Sequence, residues 1–235
     1  MTRPAKKTSF PEMLKLVLQT ILGIAILLGL LFLPAGRLDW WAAWGFILVY
    51  ISTVFIAVAV LQKKDPGLIQ ERRQPQENIK GWDKVITNLF GVVFIPLTLV
   101  ISGLDQRFGW VESFPVILQI LAGILGILGF VLVFWGMAAN TYFSSYVRIQ
   151  DDRGHTTVSA GPYRYVRHPG YLGMIVSALM IPLVLASWWA LIPAGLGAGL
   201  VILRTALEDK TLQEELEGYK EFTQKTRYRL IPGIW

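Results

Sequence analysis

Residues 171–203 read YLGMIVSALMIPLVLASWWALIPAGLGAGLVIL, an apolar run without a charged side chain. It exceeds the roughly 20 residues with which one helix crosses about 30 Å of hydrocarbon. Pro182, Ser187-Trp188-Trp189 and Pro193 interrupt it. The simplest reading is a tight helical hairpin, two crossings joined near Trp188. Tryptophan at such a turn suits the membrane–water boundary. Working outward, four further apolar runs precede it, at about 13–34, 41–61, 84–104 and 114–139. The expected fold is all-α: a polytopic membrane helix bundle of five to six crossings, closed by this C-terminal hairpin.

Composition agrees. Hydrophobic residues make up 54%, charged residues 16%, and mean hydropathy is +0.50, values of an integral membrane protein. Cysteine is absent, which excludes a disulfide framework, a thiol nucleophile and a cysteine metal site. With only His155 and His168 as imidazoles, no metal site is expected. The first apolar run follows Arg3, Lys6 and Lys7, as in a signal peptide. It is too long for a signal core and no small-x-small cleavage site follows cleanly, so a retained helix is expected.

The net charge of +6 invites a nucleic-acid reading, but its distribution gives a better one. With the N-terminus in the cytoplasm, the inner segments hold Arg3, Lys6 and Lys7, then Lys63, Lys64, Arg72, Arg73, Lys80 and Lys84. Arg148, Arg153, Arg164 and Arg167 follow, and then Arg204, Lys210, Lys220, Lys225, Arg227 and Arg229. The outer loops hold only Arg37 and Arg107. This asymmetry predicts cytoplasmic termini and a basic face on the anionic leaflet, with no nucleic-acid partner. Leu207, Leu212, Leu216, Tyr219 and Phe222 recur among Glu and Lys, predicting an amphipathic cytoplasmic helix over about 204–223 that continues the last crossing. The chain thus divides into N-terminal transmembrane helices, 1–139, and a region of candidate chemistry, 140–235.

Gly123, Gly126 and Gly129, and the pair Gly195 and Gly199, read as sites of close helix approach. Gly195 to Gly199 has no preceding soluble strand and is not a dinucleotide loop. No charged side chain lies deep in a crossing, which argues against an ion-coupled transporter. Arg204 and Glu208 share a helix face and, taken alone, read as an intrahelical pair worth a few tenths of a kcal/mol. Asp209 is expected to be solvated. His168-Pro169 opens a helix, and its neighbours Arg167, Tyr163 and Tyr171 make it a candidate binding site. His155, taken alone, is an ordinary loop residue.

The cluster Arg167-His168-Pro169-Gly170-Tyr171-Leu172-Gly173, with Arg204-x-x-x-Glu208-Asp209 after it and Arg229-Leu230-Ile231-Pro232 near the end, resembles the isoprenylcysteine carboxyl methyltransferase family. That family belongs with the phospholipid N-methyltransferases among integral-membrane methyltransferases. The resemblance covers roughly 140–235. It implies an S-adenosylmethionine site at the cytoplasmic face, lined by Gln150, His155, Thr156, Thr157, Val158, Tyr163, His168, Pro169, Gly170 and Tyr171, with Glu208 holding the cofactor's amino group. Arg204 would face a substrate carboxylate, and Asn140 lies near the place of the family's additional substrate arginine. Asp209 stands where the family usually has a second Glu.

The resemblance implies a membrane methyltransferase acting on a lipophilic small molecule or lipidated group, most simply a carboxylate. The cofactor brings the reactive carbon and its leaving group. The protein aligns the acceptor and excludes water. An ionised carboxylate or thiolate needs no general base, and none stands out in the sequence apart from His168, which the resemblance assigns to the cofactor. A phospholipid amine or a thiol acceptor is the alternative within enzymes. A non-catalytic scaffold or a transporter is the alternative outside them.

Overall fold

The computed structural model describes residues 10–73, 76 and 78–235, all of them helix, turn or irregular segment. Arg3, Lys6 and Lys7 lie outside the described residues. Helix α1 (Phe10–Ala35), which packs on the fifth helix, and α2 (Trp41–Lys64) come first, followed by a short α3 (Pro66–Arg73) that the sequence reading passed over. Helix α4 (Gly81–Asn88) runs through a π turn at Leu89–Phe94 into α5 (Ile95–Phe108). Pro96 follows that turn and cannot donate to a preceding carbonyl, so the regular ladder is broken there in any case. Helix α6 (Val116–Ala139), α7 (Pro169–Val184), α8 (Leu191–Glu215) and α9 (Tyr219–Lys225) complete the bundle.

Among the described residues, five helices are long and apolar enough to cross a membrane: α1, α2, the α4–α5 unit, α6 and α8. Helix α7 is shorter, spanning about 24 Å at roughly 1.5 Å per residue. The hairpin turns where the Trp pair predicts. Ala186 adopts positive φ, and Ser187 Oγ donates to buried Asp105 at 2.6 Å and accepts from Ala190 N at 3.2 Å. Gln119 Nε2 holds the same turn through Val184 O at 3.0 Å.

Helices α6 and α7 make the most extensive contact of the bundle. Glycine permits it: a Cβ on Gly173 would stand 2.4 Å from Gly129 O and 2.9 Å from Val133 N. Gly126 also meets α7, at Met180. The expectation fails for Gly123, Gly195 and Gly199, each of which faces open space. In α8 the residue that packs is Gly197, against Phe90 and Phe94 of the π turn. Small-residue spacing marks a possible seam but not which of two offset stripes the neighbouring helix uses.

The amphipathic helix expected over 204–223 is two elements. Helix α8 stops at Glu215, Gly218 takes φ +76°, and α9 starts afresh at Tyr219. The left-handed glycine costs no Cβ clash and turns the chain back on itself. Leu216, Tyr219 and Phe222 thereby close with Tyr163 into one buried cluster.

Candidate functional site at the polar end of the bundle

Helices α2, α6 and α8 end, and α4 and α7 begin, at the same end of the bundle. There the segment 140–168, α3 and α9 cover the helix ends and enclose a cavity of about 370 Å³. Asn140, His155, Thr156, Thr157, Val158, Tyr163, His168, Gly170, Tyr171, Arg204 and Glu208 all border it. Gln150 and Pro169 do not. Gln150 is buried behind the wall, with Nε2 donating to Tyr142 O at 2.7 Å and Oε1 accepting from Arg153 at 2.6 Å. Pro169 fills the first helical position of α7, where a missing N–H costs nothing.

The His168 carbonyl opens α7 by accepting from Tyr171 N and Leu172 N. Its ring lies parallel to the Tyr171 ring at 5.7 Å, and its backbone N–H donates to Arg229 O at 2.9 Å. Arg167 N likewise donates to Tyr228 O at 2.9 Å, so the C-terminal segment is laid against the Arg-His-Pro run. Thr226 adds a bond from Oγ1 to Tyr163 O at 3.1 Å.

Asp209 corrects the sequence reading. It is not solvated but 0% exposed, the hub of the densest polar network among the described residues. Its carboxylate accepts from Arg167 Nε and Nη2 at 2.7 and 3.1 Å, and from Arg229 Nε at 2.9 Å. Gln213 Nε2 and Tyr219 Oη donate to it at 2.8 and 3.1 Å, and His168 Nε2 lies 3.3 Å away. A buried carboxylate is tolerable only with such a set of donors. Burial, with the Asp209 charge beside it, pushes the Tyr219 hydroxyl well above its ordinary pKa, so it stays protonated and donates.

Arg204 corrects a second expectation. It does not pair with Glu208. Its Nε and Nη2 donate to Asp83 of α4 at 2.6 and 3.0 Å, and Nη2 also reaches Ser145 O at 2.9 Å. Asp83 is 0% exposed, and its second oxygen also accepts from Val147 N at 2.7 Å. A planar fork matched to a buried carboxylate outcompetes a flexible partner one turn away. Glu208 is left to a hydrogen bond from the Tyr171 hydroxyl, while the Arg204 guanidinium lies 5.0 Å over the Tyr171 ring. Tyr171 thus stands between an acidic group and a basic one.

The wall around the 150s is also fixed. Tyr142 packs on His155 at 4.6 Å between rings, and His155 Nδ1 lies 3.4 Å from Gln150 N. Burial lowers the His155 pKa from its ordinary 6.5. Asn140 spends its amide on Tyr163 Oη at 3.3 Å and on Tyr142 N at 2.9 Å. Burial raises the Tyr163 hydroxyl far above its usual range. Lining groups that the sequence reading did not single out include Arg72 and Thr87 from outside residues 140–235, and Tyr142, Phe143 and Met174 within them.

Residues 121–214 match the model of the isoprenylcysteine carboxyl methyltransferase (ICMT) family. No curated protein matches the chain.

Proposed function

We propose, for a membrane protein whose residues 121–214 carry the domain of a methyltransferase family, that the cavity binds S-adenosylmethionine and a lipophilic carboxylate acceptor and transfers a methyl group between them. One observation carries this reading: Glu208 and Arg204 flank Tyr171 in the wall of a single cavity, an anion for an ammonium and a cation for a carboxylate.

The residues fit the cofactor. Glu208 accepts only from Tyr171 among the described residues, which leaves carboxylate lone pairs for an amino group. Tyr142, His155 and Phe222 offer aromatic faces for a purine, and Thr156 to Val158 offer backbone polar groups. The volume of about 370 Å³ lies in the ordinary range of small-molecule sites. When bound, the cofactor supplies an electrophilic methyl and its own leaving group.

The chain's own residues do the rest. Arg204, fixed by Asp83 and Ser145, keeps Nη1 free of protein hydrogen bonds among the described residues, and uses it to orient the acceptor carboxylate. Leu212, Leu216, Phe222 and Met174 wall the cavity with apolar surface and exclude water. No proton is abstracted, because an acceptor carboxylate is ionised at neutral pH. The basic end of the bundle faces the cytoplasm, where the cofactor is found, and the acceptor reaches the same end from the lipid phase. Titration of purified protein with S-adenosylhomocysteine tests the reading. Micromolar binding by the wild type, lost in Glu208→Gln with thermal stability kept, is expected. A folded wild type that binds none of it refutes the proposal.

A further inference from the structure

Arg72 has no part in the reading above, yet it borders the same cavity. It sits in the last turn of α3, in the N-terminal half, with Nη1 donating to Phe143 O at 3.2 Å and the guanidinium 5.8 Å from the Phe143 ring. Among the described residues no carboxylate stands within ion-pair distance of it. Its neighbour Glu71 is taken by Arg148 at 2.5 Å, a bond that also holds α3 down on the cavity. Burial first, and then the charge of Arg204, lower the Arg72 pKa.

Arg204 is already matched by Asp83, and Glu208, read above as the partner of the cofactor's ammonium, is bonded to Tyr171, so Arg72 is left without a carboxylate partner among the described residues. A half-buried cation with no ion-pair partner among the described residues is disfavoured and asks for one. Close by in the same wall, Thr87 Oγ1 is buried without any hydrogen-bond partner. Both groups lie outside residues 121–214. An occupant with an anionic head and further acceptor oxygens satisfies them together. A cationic or neutral-amine head would add to the repulsion or leave Arg72 bare.

We propose that Arg72 is a specificity-determining residue that binds the carboxylate of the acceptor, so that helix α3 selects anionic acceptors over amines and amides. This rests on the reading that Arg204 faces the acceptor and Glu208 the cofactor.

The test uses full-length protein in zwitterionic nanodiscs saturated with S-adenosylhomocysteine. N-acetyl-S-geranylcysteine and its carboxamide are the probes, with affinity read by calorimetry. The wild type should prefer the carboxylate at least tenfold, a charge-assisted contact's worth. Arg72→Gln should abolish that preference while leaving carboxamide and S-adenosylhomocysteine affinities within twofold, and Arg72→Lys should restore part of it. Three results overturn the proposal: a wild type that does not prefer the carboxylate, a Gln variant that keeps the preference, or one that loses S-adenosylhomocysteine instead. The last outcome would give Arg72 to the cofactor's carboxylate. A wild type that binds no S-adenosylhomocysteine would instead sink the methyltransferase reading itself. If Arg72→Gln does not fold, Arg72→Lys against the wild type decides, since a bidentate site should discriminate them at least threefold for the carboxylate only.

Discussion

Asp209→Ala should unfold this protein far more readily than the loss of one exposed charge would. Asp209 is 0% exposed and takes donors from Arg167, Arg229, Gln213 and Tyr219. Arg167 is itself buried, with Nη1 held by Thr226 O and Arg227 O at 3.0 and 2.7 Å, so its charge stays buried when its carboxylate goes. Breaking a buried pair by removing one partner costs about 3–5 kcal/mol. Against a total stability of about 5–15 kcal/mol, that is a large share. The assay is unfolding in mixed micelles, with the single variants Asp209→Ala and Arg167→Met and the double variant. The double variant should be less destabilised than the sum of the singles by at least about 2 kcal/mol, because the buried guanidinium of Arg167 is then gone and the remaining Arg229 is partly exposed to water. Glu208→Ala is the control one residue away. It should change stability by less than about 1 kcal/mol, because only Tyr171 donates to it. Additive singles, or an Asp209→Ala variant as stable as Glu208→Ala, would refute the assignment of Asp209 to structure.

Further outcomes follow from other contacts. Gly173→Ala should cost about 1–3 kcal/mol by thermal unfolding, since its Cβ meets backbone at 2.4 Å, whereas Gly123→Ala, with nothing within 4 Å, should be neutral. Asp83→Asn removes the charge that holds Arg204 from α4; stability should fall by a few kcal/mol and acceptor KM should rise more than cofactor Kd changes, measured by calorimetry and methyl transfer. His155 has a folded pKa lowered by burial. Above its unfolded pKa of about 6.5 it is neutral in both states and neither gains nor loses. As pH falls below that value the unfolded chain takes the proton first, so stability drops until the folded pKa is passed. Melting temperatures from pH 7 to 5 should therefore fall less steeply in His155→Gln than in the wild type.

The bundle was legible because its signals are additive along the chain. Apolar runs, the interruption at Ser187 to Trp189 and the placement of Lys and Arg each stand in the sequence as a local excess. The Arg167 to Gly173 run and the Arg204 to Glu208 spacing pointed to one cavity, and the structure brings them together. What escaped was every decision made between distant segments. Asp209 looks like any acidic residue on an emerging helix until Arg167, Tyr219 and Arg229 converge on it. Asp83 near the start of a crossing gives no hint that Arg204, far along the chain, is its partner at 2.6 Å. The break at Gly218 was hidden because Leu216, Tyr219 and Phe222 keep helical spacing across it. That same apolar set is served equally well by a turn that folds it onto Tyr163.

The Asp83–Arg204 bond has a consequence for anyone who would transplant this machinery. A graft of residues 140–235 onto the leading helices of another membrane protein would carry its sequence signature intact. It would also carry a guanidinium whose counter-ion stayed behind on α4, and a cavity missing the wall that α3 provides. Such a chimera would need Arg72, Asp83 and Thr87 moved with it. The unit that can be exchanged between proteins is wider than the unit that can be recognised in a sequence.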